Sequence, residues 1–380
     1  MGQPTYYDTS PVRGRDDSRP SSRDIQSYLD FAGETRVVEE DVRPGHSRRA
    51  RSALHRLSII LTPIFVSAAV FLFIPGNFRW WMAPIYWTLY LWFLCPFILM
   101  LHNTCHRKLF KREHKSLNHH IPWALGIFFG QPPESYFVHH IGMHHADGNL
   151  PDDLSSTMPY QRDSFIDWIK YATKFVVMGL LNLYLYMKRR GRDRLAKRLL
   201  RGELSFLAFT VLALLWNWSA AVVVFVVPLL TTRVLLMMGN WAQHAFIDPD
   251  DPTNDYRTVV TFINSRYNHR SFNDGYHLGH HLKQDRHWLD MPADFLDKRQ
   301  EMIDNQSLVF EKIDYFVIFV LLMFKRYHTL ATYHVNLDPD NPRSDDEVVA
   351  LTKRRLKKFE SARLSEIQTE FNPAPAMQEA

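Results

Sequence analysis

Histidine is concentrated in two short windows of this chain, and its imidazole side chain binds first-row transition metals well. Nine of the 19 histidines lie between His102 and His145, and six lie between His244 and His287. The 98 residues that separate the windows contain none. Both windows begin where a long apolar run ends. The sequence therefore predicts that imidazoles gather at a membrane surface to hold metal ions.

Three motifs give these histidines the spacing of a helical face. HNTCH begins at His102 and places two imidazoles at positions i and i+4, which share one side of a helix. HHIGMHH begins at His139, HLGHH begins at His277, and His244 lies five residues past an apolar segment. The candidate metal ligands are His102, His106, His140, His144, His145, His244, His277, His280 and His281.

The number and type of these ligands indicate which metal they hold. A structural zinc site is normally closed by four ligands, so nine imidazoles suit two ions with four or five ligands each. All-nitrogen ligation favours iron over calcium or magnesium, which prefer oxygen. Asn240 shares a helical face with His244 and is predicted to hold a water in an open coordination position. His139 is an alternative to His140 as ligand, and otherwise His139 and His269 are predicted to support the ligands from outside.

Four apolar segments are predicted to position the histidines by crossing a bilayer. Residues 57–74, 80–101, 204–217 and 219–239 form two hairpins with short turns. The first segment has 18 residues without a charge, which at about 1.5 Å per residue reach about 27 Å. The short third segment needs a thinned bilayer or a buried environment. The predicted fold is an all-α integral membrane protein whose four transmembrane helices carry a cytosolic helical cap with a dimetal site.

Basic residues orient the predicted hairpins. Lysines and arginines cluster before the first segment, after the second and before the third, whereas the two turns contain only Arg79. The positive-inside rule then puts both termini and both histidine windows in the cytosol, and we expect the membrane to be the endoplasmic reticulum. A crossing by residues 165–187 would separate the windows, so we predict an interfacial amphipathic helix there. Residues 310–324, which contain Asp314, are predicted to form a packed or interfacial helix.

The polar ends and the composition narrow the remaining possibilities. Residues 1–51 predict a disordered cytosolic tail, residues 52–335 the membrane domain, and residues 336–380 a cytosolic C-terminal tail with a helix near residues 347–370. Only Cys95 and Cys105 are present, which excludes a disulfide framework and favours a reducing compartment. No Lys/Arg run is interleaved with aromatic residues, so nucleic-acid binding is not expected.

Arg233 is a charged residue inside an apolar segment, where charge is costly and usually functional. It precedes Asn240 and His244 by 7 and 11 residues, which places all three on one helical face. We hypothesise that Arg233 borders the substrate path or steadies the metal site from below. The alternative is that its side chain snorkels to the cytosolic interface.

The three motifs, in this order around two hairpins, resemble the membrane fatty acid desaturase superfamily. The resemblance extends over Leu57 to Trp288 and includes NWAQH, which is similar to the Asn-x3-His element of acyl-CoA desaturases. It implies a non-haem diiron centre ligated by the nine histidines, with Asn240 acting through water. It also implies O2 as co-substrate and electrons from a cytochrome b5 or a ferredoxin. No His-Pro-Gly-Gly motif occurs, so the donor is expected to act in trans.

Two motifs depart from the acyl-CoA desaturase pattern. The first is H-x3-H rather than H-x4-H, and the second is H-x3-HH rather than H-x2-HH. Acyl-CoA, acyl-lipid and sphingolipid substrates therefore all stay open. The leading hypothesis is a desaturase that introduces a C=C bond into a fatty acyl chain. The alternatives are a hydroxylase, ketolase or alkane-type monooxygenase on the same scaffold, and a non-catalytic metal-binding membrane protein.

Overall fold

The computed structural model describes residues 53–371, and these residues are mostly helical, as predicted. The α-helices are α1 (Ala53–Phe73), α2 (Met82–His106), α3 (Ser135–His139), α4 (His145–Asp147), α5 (Phe165–Arg189), α6 (Asp193–Ala221), α7 (Val227–Gln243), α8 (Asp255–Thr258), α9 (Arg266–Arg270), α10 (His277–Leu282), α11 (Met291–Asp297), α12 (Arg299–Asp304), α13 (Tyr315–Met323), α14 (Tyr327–Ala331), α15 (Asp345–Arg355) and α16 (Ser361–Phe371). Turns of 3-10 helix cover Arg112–His119, Gly126–Phe129 and Trp288–Asp290, and π-helical turns cover His120–Leu125, His140–His144 and Val222–Val226. The strands are β1 (Thr261–Ile263) and β2 (Val309–Glu311). The tail predicted for residues 1–51 lies outside the described residues.

Two compact units divide the chain. Among the described residues, unit 1 contains those up to Pro133 together with Ser205–Leu229 and Phe262–Arg299. Unit 2 contains Glu134–Leu204, Leu230–Thr261 and the described residues from Gln300 onward. The first and third histidine motifs belong to unit 1, whereas the second motif and His244 belong to unit 2. Each unit therefore carries its own group of histidines.

Three stretches of the described helices are long and apolar enough to cross a membrane: α1, α2 and the run Asp193–Gln243. In unit 1, Phe65 of α1 is fully buried, and its ring lies 5.9 Å from that of Tyr86 in α2 in an edge-to-face contact. Ile59 and Ile60 of α1 are more than half exposed. An exposed row of large apolar side chains is what a lipid-facing helix requires.

The run Asp193–Gln243 folds back on itself at Asn217. The backbone of Asn217 is extended (φ −149°, ψ 90°), and its Oδ1 accepts a hydrogen bond from the N–H of Ala220 at 3.2 Å, which caps the helix that follows. The rings of Phe209 and Phe225 lie 5.1 Å apart, whereas 16 residues of straight helix would separate them by about 24 Å. The predicted turn at residues 217–219 is therefore present. Its first limb begins at Asp193, earlier than the predicted residue 204, because the basic residues before the apolar segment are good helix formers.

The two ambiguous apolar segments form different structures. Ser164 caps helix α5, because its side chain accepts from the N–H of Asp167. The helix buries Tyr186 and Met187, while its other face exposes Val177. It is absent from the candidate spans among the described residues. The packed helix predicted within residues 310–324 is present, but it begins only at Tyr315 because β2 occupies the start of the segment. Asp314 then caps the shorter helix α13 by accepting from the N–H of Val317 at 3.0 Å.

The C-terminal segment forms two helices within unit 2 rather than the one predicted near residues 347–370. Ser344 and Glu347 form a capping box at the start of α15. Phe359 and Ile367 lie in a buried cluster with Met158 and Ile247, and Ile367 is fully buried. This cluster adjoins the chain that directly follows His244.

Candidate metal centre

The first and third motifs bring their histidines together in unit 1. His102 and His106 occupy the last turn of α2, and His280 lies in α10. The ligand nitrogens of these three residues all lie within 4.8 Å of one another. The Nε2 atoms of His102 and His280 are 3.0 Å apart. Two nitrogens that bind one ion at about 2.1 Å and right angles are also separated by about 3 Å, so this pair fits a shared metal.

His277 and His281 lie in the same short helix as His280. Their ring centroids lie 4.8 Å apart, and His277 is 2% exposed. Helix α10 approaches Asp294 so closely that a Cβ on Gly279 would lie 3.2 Å from the carboxylate. The spacing of HNTCH and HLGHH predicted correctly that the histidines within each motif lie close together.

The second motif adopts a local structure that the sequence reading did not anticipate. The prediction treated it as an α-helix, in which His140 and His144 share a face. His140–His144 is instead a π-helical turn, in which the N–H of His145 donates to the carbonyl of His140. The rings of His140 and His145 are consequently closer (4.3 Å) than those of His140 and His144 (5.7 Å). The Nε2 atoms of His140 and His145 are 3.0 Å apart, which again fits two ligands of one ion.

Asp153 fixes the orientation of His144 and was missed by the sequence reading. Its Oδ2 lies 2.7 Å from Nδ1 of His144, and its other oxygen accepts from the N–H and hydroxyl of Ser155 at 2.7 and 2.6 Å. Burial alone would raise the pKa of Asp153, but His144 and these hydrogen bonds lower it below its usual range. The residue is therefore a carboxylate that holds the proton of His144 on Nδ1. That tautomer leaves Nε2 available to a metal.

His244 joins the second motif within unit 2. Its ring lies 5.2 Å from that of His144, and the ligand nitrogens of the two residues are within 4.8 Å of each other. Its backbone carbonyl accepts from the hydroxyl of Thr157 at 2.6 Å. Arg162, which is fully buried, donates to the carbonyl of Ala245 at 2.8 Å. Two consecutive carbonyls after α7, those of His244 and Ala245, therefore accept hydrogen bonds from side chains of the same unit.

Two hydrogen bonds donated by its amide nitrogen orient the side chain of Asn240. Nδ2 donates to the carbonyl of Ser155 at 2.9 Å and to the hydroxyl of Tyr171 at 2.7 Å. A carbonyl accepts but never donates, so the identity of this nitrogen is fixed. The oxygen of the Asn240 side chain remains as an acceptor, and its binding of a water stays a prediction.

The other predicted site residues occupy varied positions. His139 packs edge-on against Phe175 at 5.5 Å, and burial lowers its pKa to about 4, so it is neutral. His269 lies exposed at the end of α9. Arg233 forms an ion pair at 3.1 Å with Glu203, a residue that the sequence reading missed. A sequence signal for Glu203 exists: it is an acidic residue at the start of the apolar segment that forms the other limb of the hairpin containing Arg233.

Comparison with known families agrees with this geometry. The family model described as fatty acid desaturase matches residues 44–310, more than half of the chain. The chain belongs to the fatty acid desaturase family. No curated protein and no solved structure matches it. The resemblance carried by the three motifs is therefore confirmed, and with it a membrane oxidoreductase that acts on lipid.

Both histidine groups fit a transition metal. In each unit, paired imidazole nitrogens lie at the separation of neighbouring ligands. Most of these rings are buried. The donors are nitrogen throughout, as iron accepts and calcium does not.

Proposed function

We propose that this protein is a lipid desaturase that introduces a C=C bond into a fatty acyl chain at a non-haem diiron centre. The observation that carries the proposal is the pairing of imidazole nitrogens at 3.0 Å in both units of a chain that belongs to this family. Bound iron would supply the oxidising power for an unactivated C–H bond, which acid-base side chains lack. Two hydrogen atoms leave the acyl chain, and together with two electrons and two protons from the donor and solvent they reduce O2 to two waters.

In this proposal each residue of the site has a specific task. Eight histidines of the three motifs, together with His244, are the nine ligands. Asn240 holds a water. Asp153 fixes the tautomer and the ring of His144. His140 rather than His139 is the ligand, because His140 pairs with His145 whereas His139 packs on Phe175. The electrons come from a separate cytochrome b5 or ferredoxin.

The membrane arrangement forms part of the same proposal. Helices α1 and α2 and the two limbs around Asn217 make four crossings, with the histidines and both termini in the cytosol of an endoplasmic reticulum membrane. Helix α5 lies along the interface, because Val177 is 70% exposed while Lys170 and Lys174 are also exposed on the same helix. A lysine can extend its ammonium from such a helix to the lipid phosphates.

Expression in a desaturase-deficient host, followed by lipid mass spectrometry, tests the proposal. New double bonds that disappear in His280→Ala would support it, with Lys312→Ala as an exposed control. Hydroxylated lipids would instead assign a hydroxylase on the same scaffold. Elemental analysis of the purified protein is an independent check. A single zinc per chain with unchanged host lipids would refute both enzymatic functions.

A further inference from the structure

A single carboxylate joins two helical segments of unit 2 that carry candidate ligands. Glu203 of α6 accepts from the hydroxyl of Ser135, at the start of α3, at 2.8 Å. The Nη2 atom of Arg233, in α7, lies 3.1 Å from both oxygens of the same carboxylate. The side chains of Arg233 and Glu203 are only 20% and 12% exposed. Glu203 therefore has two partners on two different elements.

Both partners lie on the elements that position the histidines. Ser135 begins the helical segment that continues through the π-turn to His144. Arg233 lies 11 residues before His244, about 16 Å along the helix axis. The two segments are joined at one end by Glu203, and their other ends meet where the rings of His144 and His244 lie 5.2 Å apart.

Two arginines make three further contacts that hold the same histidine segment against α6 and the residue just before it. Arg198 forms an ion pair with Glu134, which is 3% exposed and adopts a left-handed backbone (φ 69°). The guanidinium of Arg198 also lies 3.8 Å from the ring centroid of Phe137. Arg192, just before α6, donates to the carbonyl of Gly142. The segment is thus attached along its length, and Glu203 is the attachment that also reaches α7.

We infer that Glu203 is a positioning residue for the metal site, which it serves by fixing the helix of the second histidine motif relative to the helix that leads to His244. This inference rests on the proposed function. A charge in a low-dielectric, partly buried place is costly unless it is paired, and the Glu203–Arg233 pair neutralises both charges. Charge neutralisation alone would not require the hydrogen bond to Ser135, which transmits the position of the pair to the histidine segment.

Variants of the ion pair test the first part of the inference. Full-length protein in detergent is compared with Glu203→Gln, Arg233→Met and the double variant by iron content per chain. Each single change leaves one partly buried charge without its partner, so we expect each to lose at least about half of the bound iron. The double variant removes both charges and keeps an acceptor for Ser135, so its iron content should return toward that of the wild type.

Variants of Ser135 test the positioning role itself. Ser135→Ala keeps the ion pair but breaks its link to the histidine segment, while Ser135→Thr keeps a hydroxyl. The probe is Co2+ added to metal-free protein, followed by its visible ligand-field spectrum and by competition with a chelator. We expect Ser135→Ala to change the spectrum and to bind Co2+ about tenfold more weakly, in the range found for residues that orient metal ligands. Ser135→Thr should restore both. Asp193→Asn is the matched control, since Asp193 begins the same helix α6 as Glu203 but forms only an exposed ion pair, with Lys188 at the end of α5.

The outcomes separate the two proposals. A wild-type protein that binds no transition metal would refute the proposed function. A wild-type protein that holds two irons, with unchanged cobalt spectra and affinities in Ser135→Ala and Glu203→Gln, would overturn the positioning role while leaving the function intact. Equal losses in Asp193→Asn and Ser135→Ala would also overturn it, because the effect would then be a general one on α6.

Discussion

Replacing Asp153 by Asn should weaken metal binding without unfolding the protein. The substitution keeps the size of the side chain but removes the charge that lies 2.7 Å from Nδ1 of His144. Both side chains are almost completely buried, at 4% and 0% exposure, so water cannot replace the lost interaction. A hydrogen bond to a charged group contributes about 1.5–3 kcal/mol. Because about 1.4 kcal/mol is a factor of ten, metal affinity should fall about 10- to 100-fold, the range typical of carboxylates behind a ligating histidine.

The assay is a competition titration of Co2+ between the protein and a chelator of known affinity, at constant pH and in one detergent. Asp152→Asn is the matched control, since Asp152 is the neighbouring carboxylate but pairs at 2.7 Å with Arg190, whose side chain is 31% exposed, rather than with a histidine. Exposed pairs contribute about 0–1 kcal/mol, so this control should change affinity by less than about fivefold. Equal Co2+ affinities in Asp153→Asn and the wild type would show that His144 is oriented without the carboxylate, or that it is not a ligand.

Two further predictions concern the packing that supports the site. Gly130 has a positive φ (+64°), and a Cβ there would lie 2.2 Å from the backbone of Pro228. Gly130→Ala should lower the free energy of unfolding by about 3 kcal/mol, whereas Gly191→Ala, at φ +66° with open space around it, should lower it by only about 1 kcal/mol in thermal unfolding scans. Similar losses in both would mean that the close approach is not significant. Arg162→Met should destabilise unit 2 by about 3–5 kcal/mol, because it removes the hydrogen bonds that a fully buried guanidinium donates to several backbone carbonyls. Arg363→Met, which breaks an exposed pair, should cost less than about 1 kcal/mol in the same scans, and a comparable cost for both variants would contradict the role of Arg162.

Local spacing was the most reliable guide to the site. The i to i+4 reading of HNTCH was correct because the last turn of α2 is regular and brings His102 and His106 onto one face. The turn at Asn217 was also predicted, since a polar residue in an apolar run is best placed where the chain reverses and can cap the next helix. The sequence could not show that the second motif is a π-turn, because α- and π-helical hydrogen bonding differ by one residue and depend on packing.

The residues missed by the sequence reading act through contacts that are distant along the chain. Asp153 follows His144 by nine residues, and no helical spacing relates the two. Glu203 and Arg233 are 30 residues apart and meet only because the helix reverses at Asn217. Phe359 and Ile367 lie in a polar stretch of sequence, yet they are buried against Ile247. None of these pairings leaves a periodic signal.

The type of chemistry could be read from the amino-acid sequence. The count, the pairing and the order of the histidines, with apolar segments before each window, predicted a metal-binding membrane protein and identified its family. The packing of the helices sets which imidazoles pair, which carboxylate orients His144, and how Arg233 is neutralised. Ligand type is a property of each side chain, whereas a distance of 3.0 Å between two imidazole nitrogens is a property of packed helices.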